Sequence, residues 1–205
     1  LPIEELDRIV DSMAKTAREA GVHVVAGDTK VVARGACDGV FITTAGVGRL
    51  RPKFRPGARR ARPGDEVIVS GTLADHGMAV MVQREGLRIR GEIESDVAPL
   101  VGIVAALVEA GIDARALRDP TRGGAAQSLT EFAAASEVRI VLDERAIPVR
   151  GEVRAAAELL GIDPLHVANE GKLLAVVPPG QTERALEVVR SCRYGEQAAR
   201  IGRVE

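Results

Sequence analysis

Three polar interruptions of otherwise apolar sequence carry the residues able to do chemistry: Gly27-Asp28-Thr29-Lys30, the stretch RDPTRGG at 118–124, and ANEGK at 168–172. The first lies between Val24, Val25 and Val31, Val32, a pattern that describes a buried strand broken by a carboxylate, a hydroxyl and an ammonium. Asp28 offers a hard oxygen of the kind Mg²⁺ takes, and Lys30 a point charge for phosphate. A strand end with an Asp/Thr turn and a snorkelling lysine accounts equally well for the same residues taken alone. Composition tips the balance, because only Lys15, Lys30, Lys53 and Lys172 among the 28 basic residues are lysines. A lysine among valines then has a task that arginine does not perform, and lysine can change its protonation state when buried.

In RDPTRGG, Asp119 precedes a proline, which keeps it out of helical geometry. Thr121 is placed to cap a following helix, and Gly123-Gly124 open its first turn without Cβ atoms. Unpaired backbone N–H groups and the positive end of the helix dipole favour an anion there, with Arg122 alongside. A capped helix start needs no ligand, and the Gly-Gly pair matches neither P-loop nor dinucleotide-fold spacing. In ANEGK, Asn169, Glu170 and Lys172 stand at the mouth of an apolar strand, which would partly desolvate Glu170. Desolvation raises a carboxylate pKa toward the range useful to a general base. Taken alone, the stretch is first a turn that bends the chain. His23, His76 and His166 do not cluster in sequence, and only Asp75-His76, at a helix start, invites a closer look.

The elements that must position these residues follow from periodicity. Apolar residues at Ile3, Leu6, Ile9, Val10, Met13 and Ala17 predict a helix over 3–20, with Pro2 at its start and Gly21 at its stop. Strands are predicted at 22–26, 39–47, 66–70, 138–142 and 172–177, and helices at 75–84, 97–110, 125–136, 151–160 and 182–191. The last residues, 201–205, also resemble a strand. Arg49–Arg62 holds seven basic residues, two prolines and no acid, and is expected to be a linker with a solvated basic face. Strands and helices intersperse too irregularly for a doubly wound sheet, so the expected class is α+β, with helices layered on a mixed β-sheet.

Composition bounds the function. With 205 residues the chain can bury a core without a disulfide or metal staple. Aromatics make up 2%, with no tryptophan and one tyrosine, which argues against a base-stacking nucleic-acid surface. A net charge of −1 provides no field for nucleic acid or an anionic membrane. Cys37 and Cys192 form neither a metal motif nor a secreted framework, and no apolar run reaches membrane-spanning length. These features describe a cytoplasmic protein.

Taken in order, AGDTKVV at 26–32, SDVAPL at 95–100, LRDPTRGG at 117–124, IPVRGEVRAAAELLGIDPL at 147–165 and VANEGKLLAVV at 167–177 closely resemble the HypE family of hydrogenase maturation factors. That family belongs to the PurM-like ATP enzymes, with aminoimidazole ribonucleotide synthetase and selenophosphate synthetase. The resemblance implies a PurM-like fold in which 1–50 is the later part of the N-terminal domain, 51–63 a linker, and 64–205 most of the C-terminal domain. It also implies an ATP- and Mg²⁺-dependent carbamoyl dehydration. A thiocarbamate on a C-terminal cysteine becomes a thiocyanate, the source of the iron-bound cyanide of [NiFe] hydrogenase. Phosphorylation makes the amide oxygen a leaving group, and a base strips the nitrogen protons. On this resemblance Lys30 and Glu170 are the catalytic pair and Asp28 the metal ligand. Asp28, Thr29, Asp119, Thr121, Arg122, Gly123, Gly124 and Asn169 bind the cofactor.

The implied partners are a second copy in a homodimer, the carbamoyltransferase, and the proteins that assemble the hydrogenase iron centre. The family's C-terminal cysteine tail and the early part of its first domain have no counterpart here, so the piece by itself is expected to be inactive. Rival readings are another PurM-like phosphorylating enzyme of the selenophosphate or aminoimidazole ribonucleotide synthetase type, and a non-catalytic maturation scaffold.

Overall fold

The computed structural model describes residues 1–49, 51–87, 89 and 91–205. The chain divides into two compact units, Leu1–Leu50 and Arg51–Glu205. Leu50, in the basic stretch and at the end of the first predicted domain, lies outside the described residues.

In the first unit a single helix, α1 (Ile3–Glu19), forms where the periodicity places it. Glu4 and Glu5 at its start and Arg18 at its end complement the helix dipole. None of its residues is buried. The two strands predicted here, at 22–26 and 39–47, do not form: no described residue of 20–49 belongs to a ladder. The Val24–Val32 stretch is exposed throughout, Val25 at 91% and Val31 at 89%, so Lys30 is not a buried lysine. β-branched residues favour a strand only when a neighbouring strand takes up the backbone hydrogen bonds, and this unit supplies none.

The second unit is a five-stranded sheet covered on both faces. Its strands are β1 (Glu66–Val69), β2 (Ala116–Arg118), β3 (Ile140–Leu142), β4 (Leu174–Val177) and β5 (Ala199–Val204), in spatial order β2-β4-β1-β5-β3. Its helices are α2 (Asp75–Glu85), α3 (Val101–Glu109), α4 (Gly124–Ser136), α5 (Gly151–Leu160) and α6 (Thr182–Arg190). The α+β class stands, but the sheet is antiparallel at all four pairings where a mixed sheet was expected. Strands with both faces buried are apolar throughout, so their composition does not reveal their direction.

Period-2 alternation divides the strands between two cores. Val67, Val69, Leu174, Val176 and Ile201 pack on Ala125, Leu129 and Phe132 of α4. Ile68, Ala175 and Val177 pack on Ile103 and Leu107 of α3 and on Ala185, Leu186 and Val189 of α6. A third cluster joins α2 to α5 through Met78, Val153, Ala156 and Ala157, with Val167 against them.

The stretch expected as a linker is tied to the second unit. Phe54 packs beside the second core, Gly57 N–H donates to the Arg115 carbonyl, Arg60 pairs with Asp113 at 3.1 Å, and Ala61 is buried. The helix predicted from Val97 starts only at Val101. Pro99 restrains Ala98 from helical geometry, and Ser95 and Asp96 are committed to other contacts.

Candidate functional site

Two of the three polar stretches meet through Asn169, which is fully buried. Its Oδ1 accepts from Ala74 N–H at 2.8 Å, and its Nδ2 donates to the carbonyls of Pro120 at 3.1 Å and Val167 at 2.9 Å. Its own N–H also donates to Pro120 at 3.1 Å. One amide therefore ties the RDPTRGG loop, the residue preceding α2 and the ANEGK turn together. Asn169 was expected to hold cofactor; here its amide hydrogens and oxygen engage backbone, an arrangement that suits a positioning role.

The glycines of RDPTRGG are where backbone needs them. Gly123 precedes α4 at φ +74° and Gly124 opens it at φ +63°. A Cβ on Gly124 would lie 2.4 Å from the Leu165 carbonyl oxygen and 2.7 Å from that of Val167. The start of α4 is thus pressed onto the segment leading into ANEGK. Thr121, expected to cap α4, does so with its carbonyl rather than its hydroxyl: Gly124 N–H donates to it at 3.0 Å, and no side chain caps the helix. Asp119 and Arg122 are exposed and, among the described residues, pair with no other side chain. That leaves one cation and one carboxylate open to a ligand beside a helix N-terminus.

Glu170 and Lys172 lie on the same turn but in different environments. Glu170 is exposed, so the expected desolvation by the following strand does not occur within this unit. The strand instead swallows Lys172, which is 9% exposed. Its Nζ is 3.1 Å from Asp96 Oδ2 and 3.8 Å from Asp75 Oδ2. Asp75, in the first turn of α2, also accepts from the Thr72 hydroxyl and lies 3.1 Å from Arg150 Nε. Asp75 Oδ1, Asp96 Oδ2 and the Arg150 guanidinium are charge contacts without aligned hydrogen bonds. A buried network of two carboxylates and two cations thus underlies the turn. Its members come from four stretches: Asp75 stands out in the sequence at a helix start and Lys172 at the mouth of an apolar strand, while Asp96 and Arg150 appear only within stretches that carry the family resemblance.

An open pocket of about 260 Å³ lies over this network, walled by Thr72, Ser95, Asp96, Lys172, Tyr194 and Glu196 among others. His76 Nδ1 and Ser95 Oγ are 2.8 Å apart at its rim, so the histidine is engaged at the surface.

In the first unit Asp28, Thr29 and Lys30 are all exposed. Asp28 Oδ1 accepts from Thr29 N–H at 2.9 Å, which leaves its second oxygen open. A single open carboxylate oxygen fits Mg²⁺, which keeps several waters and takes its remaining ligands from substrate phosphates. Among the described residues no group of three or more His, Cys, Asp or Glu converges on a metal position. No described helix is long and apolar enough to cross a membrane.

Comparison with known proteins agrees with this architecture. The AIR synthase related protein family matches in two models, its N-terminal domain over residues 1–50 and its C-terminal domain over 62–205. The chain is 56% identical over 203 residues to the hydrogenase expression/formation protein HupE of Azotobacter chroococcum, and 54% identical over 203 residues to the carbamoyl dehydratase HypE of Azotobacter vinelandii. Each match covers 99% of this chain and 60% of the relative, so the chain spans about three fifths of the curated relatives it matches. Among solved structures, E. coli HypE superposes with a TM-score of 0.96 at 46% identity, over 100% of this chain and 63% of that one. HypE in complex with ATP gives 0.88 at 45% identity, with 100% and 61% covered. The HypE–HypF complex gives 0.91 at 45%, with 100% and 67% covered. With the PurM-like fold and the three motifs in order, the chain belongs to the AIR synthase related family and, within it, to the HypE hydrogenase maturation proteins.

Proposed function

We propose that the protein carrying this chain is an ATP-dependent carbamoyl dehydratase that converts a cysteine thiocarbamate into a thiocyanate. The observation that supports this reading best is the joining of RDPTRGG to ANEGK through Asn169, which brings an unpaired arginine, a helix N-terminus and an exposed glutamate onto connected loops. The crystal structure of a relative in complex with ATP supports the nucleotide.

The reaction asks for two things. The carbamoyl oxygen, a poor leaving group, is phosphorylated by ATP and departs as phosphate, and the two protons on nitrogen are removed so that C≡N can form. Arg122 and the positive end of the α4 dipole suit the phosphates, with Gly123 and Gly124 shaping the entry into the helix. Asp119 and Thr121 shape that turn. Lys30 is assigned to the charge on the transferring phosphoryl group, and Glu170 to the proton abstraction. The Glu170 carboxylate is exposed and has no side-chain partner among the described residues, and the backbone behind it is held by Asp96. Asp28, with Thr29 fixing one of its oxygens, would hold Mg²⁺, whose charge offsets that of the triphosphate.

A homodimer and a carbamoyltransferase partner belong to the same proposal, and a relative crystallised as a HypE–HypF complex supports the second. The cytoplasm is the proposed compartment.

The test uses the full-length protein, loaded with carbamoyl group and given Mg·ATP. Thiocyanate formation is followed by mass spectrometry as loss of water from the carbamoylated chain. Glu170→Gln should slow it by about 10²–10⁴-fold, the usual worth of a general base, with nucleotide affinity unchanged. A Glu170→Gln protein that makes thiocyanate at the normal rate would overturn the assignment. ATP hydrolysis indifferent to the carbamoyl group would favour another PurM-like phosphorylation, and absence of nucleotide binding would favour a scaffold.

A further inference from the structure

Asp96 holds the Glu170 turn at three points. Its Oδ1 accepts from Glu170 N–H at 3.0 Å. Its Oδ2 is 3.1 Å from the ammonium of Lys172, on the far side of the turn. Its backbone carbonyl packs against Gly171 so tightly that a Cβ there would lie 1.7 Å from the oxygen. The Asp96 side chain is 3% exposed and that of Lys172 11%, so this contact is shielded from water. Glu170 itself projects into solvent with no side-chain partner among the described residues. What fixes where its carboxylate stands is therefore the backbone behind it, and that backbone is held by a residue 74 positions earlier in the chain.

We propose that Asp96 is a positioning residue for Glu170, acting through the backbone of the 169–172 turn. The inference rests on the assignment of Glu170 as the base. Two physical features make the clamp specific. A hydrogen bond from N–H to a buried carboxylate is charge-assisted and short-ranged, so it fixes the Glu170 Cα more firmly than a solvent-exposed turn would fix itself. The same carboxylate takes up the Lys172 charge, which keeps that ammonium beneath the turn instead of against Glu170. Asp96 also walls the neighbouring pocket with Ser95 and Val97, so a ligand that moves this segment would move the base with it.

The clamp predicts different results for two substitutions in the full-length protein. Asp96→Ala removes both side-chain contacts. It should lower the dehydration kcat by roughly 10²-fold, the scale of a misplaced catalytic group, while the KM for ATP stays within about twofold. Asp96→Asn keeps an oxygen for Glu170 N–H and should return kcat to within about tenfold of the parent. Combining Asp96→Ala with Glu170→Gln should cost no more than Glu170→Gln alone, since residues acting through one group are not additive. Amide hydrogen exchange tests the clamp apart from catalysis: the Glu170 N–H should exchange faster in Asp96→Ala and near the parent rate in Asp96→Asn. Additive losses in the double variant, or a raised KM for ATP with kcat intact, would overturn the proposal. So would unchanged exchange at Glu170 N–H. If exchange responds as expected but Glu170→Gln keeps full activity, the clamp is real and the base assignment is what fails.

Discussion

Replacing Asn169 by alanine isolates the knot that joins the two loops. The substitution removes three side-chain hydrogen bonds, but their partners fare differently. The Pro120 carbonyl keeps the backbone N–H of residue 169. Ala74 N–H and the Val167 carbonyl lose their partner, and both residues are buried, at 0% and 2% exposure. Each orphaned buried group costs about 1–3 kcal/mol, so the expected loss is roughly 2–6 kcal/mol, toward the lower end if water enters the space left behind. A chain of this size has a total stability of only about 5–15 kcal/mol. Urea unfolding followed by circular dichroism should show a lower midpoint with the slope unchanged. A loss near 3 kcal/mol corresponds to a fall in Tm of about 6–12 °C. Asn169→Asp retains an acceptor for Ala74 but turns a carboxylate toward two carbonyl oxygens, so it should be at least as destabilising. A stability change in Asn169→Ala below about 0.5 kcal/mol, the range of an ordinary surface substitution, would refute the positioning role. If that result came with weakened ATP binding, Asn169 would instead be a nucleotide ligand.

Gly124→Ala should cost more than Gly161→Ala although both glycines have left-handed φ, +63° and +66°. Position 161 has open space around a Cβ and bears only the conformational cost of about 1–2 kcal/mol, whereas at 124 the Cβ meets backbone oxygens that cannot rotate away. Equal midpoints for the two variants in urea would contradict the close approach of α4 to Leu165–Val167. At the sheet, burial alone would raise the Glu66 pKa, but hydrogen bonds with Thr182 and Arg200 and the Arg200 charge outweigh it and hold the group below its ordinary value of 4.5. A depressed folded-state pKa contributes stability above the unfolded value and loses it as pH falls through the folded one. The Tm difference between the parent and Glu66→Gln should therefore be full at neutral pH and shrink below about pH 4.5; a difference constant down to pH 3 would show that the pair contributes no such linkage.

Local pattern determined much of this molecule. α5 and α6 form within a residue of where apolar spacing places them, because helix periodicity and the stop at Gly161 are properties of a short stretch. RDPTRGG likewise announces a proline-restricted entry and a glycine-opened helix, and that is what forms. The order of the three motifs sufficed for the family. The direction of the strands was not legible, because β1 and β4 are apolar on both faces and would have the same composition in a parallel sheet. Nor was the failure of 22–26 and 39–47 to form strands, since a ladder needs a partner whose position no local stretch records.

The site divides along the same line. Asp119, Arg122 and Glu170 were legible as candidates because exposed polar residues on a loop owe their character to the loop itself. Asn169 and Lys172 stood out as polar residues beside an apolar strand, but what they bind depended on Ala74, 95 residues away, and on Asp75 and Asp96. A buried polar group must find its partner wherever the fold brings one, and burial makes that partner decisive for whether the group can be free for chemistry. Only tertiary structure could turn Asn169 inward, pair Lys172 beneath the turn, and set Asp96 behind Glu170.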